Sequence, residues 1–185
     1  MPDISPIDLA QPGPAAGVIN AVKAQIGSVP NIFATMAQSP AVLEGFLAFS
    51  GALGAGVLNA SVREQIALTV AGENGCDYCA SAHTMMAKAA GVSAEEAALN
   101  LTGMATDSKI EAILGFTQAV VRSRGLLPPG NPTLERVRHA GVSEAELVEI
   151  LAHIGLNLFT NYFNHVAKTE IDFPAINATQ HKQAA

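Results

Sequence analysis

Residues 73–83 read ENGCDYCASAH and hold both cysteines of the chain, Cys76 and Cys79, with His83 four residues after the second. Glycines at 72 and 75 precede Cys76, and the stretch continues through HTMMAKAA to Gly91, which predicts a helix starting near Cys76. On that helix Cys79 and His83 stand at i and i+4, so their side chains lie one above the other on one face. A thiol becomes a good nucleophile when an imidazole, a helix N-terminus or another positive group stabilises its anion. The second cysteine of a C-x-x-C can then close a disulfide.

Helical signals continue on both sides. Upstream, Ser61-Val-Arg-Glu64 has the form of a capping box, opening the amphipathic run REQIALTVA, which Gly72 and Gly75 interrupt before Cys76. Pro40 fits the first turn of a helix that continues to the glycines at 54 and 56 and is expected to be largely buried. A short helix is expected from Asn31. Another is expected from Ala15 to Ile26, with apolar residues at Val18, Ile19, Val22 and Ile26. Residues 1–14 carry four prolines and read as an extended arm.

Downstream, Gly91-Val-Ser93 and Gly141-Val-Ser143 repeat one joint: a glycine to end a helix, an apolar residue, then a serine cap with Glu96 or Glu146 three places on. Ser108 to Glu111 reads as a further cap on a helix ending near Arg124, LLPPGNP as a loop, and the last long helix runs from Ser143 through His153 to near Lys168. Period-two alternation is lacking, so the expected fold is a single all-α domain over residues 15–185 with about eight helices. A shift of 82 positions lays Ser61 on Ser143, Glu64 on Glu146 and His83 on His165, an echo that an internal helical repeat would produce.

The composition narrows the function. With 185 residues, 49% hydrophobic and 14% charged, the chain supports a folded core, and its many small apolar residues suggest close helix packing or contacts between subunits. A net charge of −6 and no basic patch argue against nucleic-acid binding. The N-terminus lacks the basic and apolar regions of a signal peptide, which gives a cytoplasmic expectation. The uncharged stretch Gly45 to Val62 contains Gly51, Gly54, Gly56, Asn59 and two serines, and reads as a helix and a turn, not a membrane span.

Three readings of the cysteines stand side by side: a redox pair, two ligands of a metal site with His83 and a fourth ligand from Glu73, Glu64 or a distant histidine, or small core residues. In the first, His83 handles the proton of the thiol. Glu64 reads locally as the partner of Ser61, Glu73 as a solvated residue at a helix end, and Met85 and Met86 as core packing. His139, His153, His165 and His181 have no thiol nearby in sequence and read as structural.

The arrangement of Glu64, Cys76, Cys79 and His83 resembles the signature of the alkylhydroperoxidase D-like branch of the carboxymuconolactone decarboxylase family. VPNIF near residue 30 and NYFNHVAKTEIDFP near the C-terminus resemble its peroxidase-related members. The resemblance implies an all-helical homo-oligomer, a trimer or hexamer. It implies Cys79 and Cys76 as a redox pair, His83 as proton-handling base and Glu64 as the carboxylate of a relay. It implies a thiol-dependent peroxidase acting on a small hydroperoxide and restored by a dithiol reductant, with no cofactor and no metal. The alternatives are a lactone decarboxylase and a non-enzymatic metal-binding or structural oligomer. One departure falls inside the motif: Tyr78 stands where alkylhydroperoxidase D has a histidine.

Overall fold

The computed structural model describes residues 1–179, so His181 lies outside the described residues. Among them are nine α-helices and no strand: α1 (Ala16–Ile26), α2 (Asn31–Met36), α3 (Pro40–Gly54), α4 (Ala60–Asn74), α5 (Asp77–Ala89), α6 (Ala94–Asn100), α7 (Ser108–Ser123), α8 (Pro132–His139) and α9 (Glu144–Ala167). The expected all-α class holds, with α8 in addition to the eight helices expected. Its signal was local: the Asn131 side chain accepts the N–H of Thr133, and Pro132 occupies the first turn, where its missing N–H costs nothing.

Helix α4 is the centre of the packing and runs against α5, α6, α7 and α9. Every residue from Gln65 to Gly72 is buried. Leu68 and Ala71 face a cluster that contains both cysteines, while Ile66 and Val70 face a second cluster built from α7, α8 and α9. Thr69, Val70 and Gly72 are indifferent or poor helix formers, at up to about 1 kcal/mol each. Burying an Ile or Leu contributes about 1.5–3 kcal/mol, so packing decides the helix. Gly72 does not break it. A Cβ there would sit 1.9 Å from the Leu101 carbonyl oxygen, so the glycine permits a close crossing.

Several caps differ from their sequence assignments. Asn59, not Ser61, caps α4 by accepting the N–H of Val62, and the Ser61 hydroxyl donates to the same Asn59 oxygen. This releases Glu64 from the capping role expected of it. Asp107, not Ser108, caps α7, because its carboxylate accepts the N–H groups of Lys109 and Ile110. The two repeated joints form as expected: Gly91 and Gly141 have φ of 87° and 80°, and Ser93 and Ser143 accept the N–H groups of Glu96 and Glu146. The residues that echo at 82 positions do not share local roles. Ser143 caps where Ser61 does not, His165 is exposed, and α9 is continuous where α4 and α5 are separate.

Helix α3 is not largely buried. Leu43 alone of its residues is fully covered, and Val42 and Phe49 stand exposed. On α9, Val148, Leu151, Phe159, Tyr162 and Val166 are also exposed. No helix among the described residues is long and apolar enough to cross a membrane.

Candidate active site

The thiols sit where α4 hands over to α5. Gly75 takes the left-handed conformation at φ 69°, and the Cys76 N–H bonds back to the Ala71 carbonyl, so the chain reverses within two residues. Cys76 is the N-cap of α5, and its sulfur accepts the N–H of Cys79 at 3.3 Å. Cys79 is therefore in the first turn and His83 one turn on. Both thiols are free and buried, at 1% and 3% exposure.

His83 Nδ1 lies 2.7 Å from Glu64 Oε2, and both side chains keep 19% of their surface exposed. The imidazole and the carboxylate thus form the wet edge of the site, with the sulfurs beneath. Burial pulls the His83 pKa down, but the charge and hydrogen bond of Glu64, together with the negative sulfur of Cys79, outweigh it and raise the pKa above its ordinary value.

The two thiols are not equivalent. The Cys79 pKa is lowered, first because Cys76 donates a hydrogen bond to its sulfur; burial opposes this, and the His83 charge and the Asn164 and Asn161 amides assist it. The Cys76 thiol is pushed up for the complementary reason, since it holds its proton on the Cys79 sulfur, and burial adds to the shift. Of the two, Cys79 is the thiol whose anion is favoured, with Cys76 as its hydrogen-bond donor.

A fourth element completes the site and has no counterpart in the sequence expectations. The buried face of α9 carries Asn157, Asn161 and Asn164. Asn164 Nδ2 donates to Cys79 Sγ at 3.3 Å, Asn161 Oδ1 accepts from Asn74 Nδ2 at 2.9 Å, and Asn157 helps to raise the His83 pKa. The signal was present in NLFTNYFN, where three amides at spacings of four and three fall on one face of an otherwise apolar helix.

Other candidates resolve differently. Glu73 is not a solvated helix end: its side chain is 7% exposed and holds Arg122 in two hydrogen bonds and Gln118 in a third. Tyr78 turns away from the sulfurs. Its hydroxyl accepts the Ile32 N–H at 3.2 Å and its ring meets Phe173 edge-on, so it ties α5 to α2 and to the C-terminal segment. Met85 and Met86 are not core residues, since both are exposed. His139 bonds the Glu135 carbonyl and His165 is exposed, whereas His153 is buried with its pKa lowered by burial and by Arg63. Among the described residues no three of His, Cys, Asp and Glu gather in a metal-binding group.

A C-x-x-C at the start of a buried helix, backed by an imidazole and a carboxylate from the neighbouring helix, defines a thiol site on an all-helical scaffold. Residues 40–122, from α3 into the end of α7, match the family model described as Carboxymuconolactone decarboxylase family. Among solved structures, an uncharacterized peroxidase-related protein from Ralstonia eutropha JMP134, described as an alkylhydroperoxidase AhpD core, superposes with a TM-score of 0.82 at 22% identity over 92% of each chain. The debrominase Bmp8, as a C82A variant in complex with 2,3,4-tribromopyrrole, gives 0.77 at 20% identity, covering 92% of this chain and 91% of that one. An uncharacterized peroxidase-related protein from Silicibacter sp. TM1040 gives 0.76 at 20% identity, covering 91% and 92%. Among curated proteins no match was found. The fold is that of the AhpD core.

Proposed function

We propose that the protein is a thiol-dependent peroxidase that reduces hydroperoxides through a dithiol and disulfide cycle of Cys79 and Cys76. The observation that carries the reading is the division of labour between the thiols, with Cys79 held as thiolate by the Cys76 thiol, the Asn164 amide and the His83 charge. The Cys79 thiolate attacks the terminal oxygen of the hydroperoxide. The S–O bond forms, the O–O bond breaks, and the departing alkoxide takes a proton from the His83 imidazolium, leaving an alcohol and a Cys79 sulfenic acid. With the negative charge gone from Cys79, the main cause of the raised Cys76 pKa disappears. Neutral His83 then accepts the Cys76 proton, Cys76 attacks the sulfenic sulfur, and hydroxide leaves as water by regaining that proton. A cellular dithiol restores the pair by exchange.

Thiol counting with intact mass, before and after one equivalent of an alkyl hydroperoxide, tests this. The expected result is loss of two hydrogens and of both free thiols with no adduct. An unchanged dithiol sinks the reading. A γ-lactone decarboxylase, by contrast, keeps its activity when both cysteines are serine.

The same reading includes self-association. A cleft between α3 and α9, lined by Val42, Phe46, Phe49, Leu156 and Phe159 with Ala41, Gly45 and Gly155, contains no charged residue. A second copy of the chain covers this apolar surface in the assembly. Light scattering is expected to give the mass of a trimer or hexamer, and Phe49→Glu to reduce it to that of one chain. A wild-type chain that is monomeric at micromolar concentration removes this part of the proposal.

A further inference from the structure

Two polar atoms beside the reactive sulfur make no hydrogen bond of full geometry. Asn161 is 0% and Asn164 5% exposed, and each amide uses one end: Asn161 Oδ1 accepts from Asn74, and Asn164 Nδ2 donates to Cys79 Sγ. Their other ends, Asn161 Nδ2 and Asn164 Oδ1, are buried and make no hydrogen bond of full geometry among the described residues; Asn161 Nδ2 acts only on the Cys79 sulfur, whose charge it helps to hold. Leaving such an atom unpaired costs about 1–3 kcal/mol. A helix face that served only packing would carry Leu or Ala at both positions at no such cost. One free atom is a donor and the other an acceptor, and both belong to side chains placed at the Cys79 sulfur.

We propose that Asn161 and Asn164 form the binding position for the hydroperoxy group of the substrate, which deepens the peroxidase reading and rests on it. A hydroperoxide presents one O–H and two acceptor oxygens, the complement of this pair. The O–H donates to Asn164 Oδ1, and because it is carried by the terminal oxygen, that oxygen is held at the sulfur whose other contact is the amide nitrogen of the same residue. Asn161 Nδ2 donates to the inner oxygen, where negative charge develops as the O–O bond breaks. The S–O bond forms as described above, sulfur loses two electrons, the peroxide gains them, and the departing oxygen takes its proton from His83. The O–H stays on the sulfenic acid, still bonded to Asn164. A position built around an O–H and two oxygens also disfavours ligands lacking them, because the buried donor and acceptor then stay unpaired.

The test separates oxygen recognition from thiolate reactivity. Rate constants for Cys79 are measured by mass spectrometry with tert-butyl hydroperoxide and with iodomethane, which reads the thiolate but has no oxygen to recognise. Asn161→Ala is expected to lower the ratio of the two about 10²-fold, the size of effect seen when one donor to a developing oxyanion is removed. Asn161→Ser, close to alanine in size but with an O–H to donate, is expected to recover part of that ratio. An unchanged ratio in the alanine variant overturns the inference, and so does an equal fall in both variants, which would mark the loss as packing. If the wild-type chain alkylates but does not react with the hydroperoxide, the peroxidase reading falls and takes this one with it. If the wild type reacts with both and the ratio is insensitive to Asn161, this inference alone falls.

Discussion

Cys79→Ser is expected to abolish the proposed reaction with hydroperoxide, with no sulfenic acid forming on Cys76 in its place. The structure gives two reasons for so complete a loss. A serine hydroxyl does not ionise at neutral pH, so no anion replaces the thiolate that Cys76, Asn164 and His83 stabilise. Cys76 is not expected to substitute, because its buried sulfur lacks the direct amide contact that Asn164 gives Cys79. The expected fall is at least about 10³-fold, since the nucleophile itself is removed. Changes at Cys76 act differently. Cys76→Ala arrests the cycle at the Cys79 sulfenic acid, seen as the added mass of one oxygen, and removes the S–H that holds the Cys79 pKa down. The Cys79 midpoint, read by thiolate absorbance, is therefore expected to move up toward the ordinary cysteine value of about 8.5. Cys76→Ser also arrests at the sulfenic acid but returns a hydroxyl donor, so its midpoint stays nearer that of the wild type. Sulfenic acid on Cys76 in the Cys79→Ser chain would reverse the assignment of the two thiols.

The C-x-x-C and the i, i+4 histidine were legible because they belong to one helix, and a single helix translates spacing directly into geometry. Glu64 was legible only through resemblance. Its local pattern with Ser61 fits a capping box, and nothing nearby in sequence announces that Asn59 takes the cap instead. The choice is made by the packing of α4 on α5, which brings Glu64 to His83 across 19 positions of chain. Glu73 failed for a related reason. A carboxylate next to glycines at a helix end resembles a solvated one until α7 brings Arg122 and Gln118 over it. The largest omission was α9, where the asparagines that reach Cys79 are some 80 positions away, and local signals carry no record of such a distance. Helix α3 erred in the other direction. Its apolar sequence suggests burial, yet it leaves Val42 and Phe49 uncovered, because hydropathy counts apolar residues and does not say whether the rest of one chain covers them.

Glu64→Gln is expected to slow the reaction with hydroperoxide about 10²-fold while leaving both thiols in place, at the lower end of what positioned acid and base groups contribute. The carboxylate, 2.7 Å from His83 Nδ1, favours the charged imidazolium, and a neutral amide keeps the shape of the contact but not the charge. Two consequences follow for pH. The His83 pKa, raised in the folded protein chiefly by Glu64 against the opposing effect of burial, falls in the variant, and the midpoint of its ring resonances in NMR moves down. The Cys79 thiolate then loses a cationic neighbour, so its own midpoint moves up, and the pH range in which thiolate and imidazolium coexist narrows from both sides. The same shift makes a statement about stability. Because the folded pKa of His83 lies above its unfolded value of about 6.5, the pair contributes stability that is fully present below that value and is lost as pH rises through the folded pKa. The stability difference between wild type and Glu64→Gln, followed by urea unfolding, is thus expected to be larger at mildly acidic pH and to shrink in alkaline buffer. A difference that grows with pH, or a His83 midpoint that does not move, would detach Glu64 from the relay and leave it a bystander at the edge of the site.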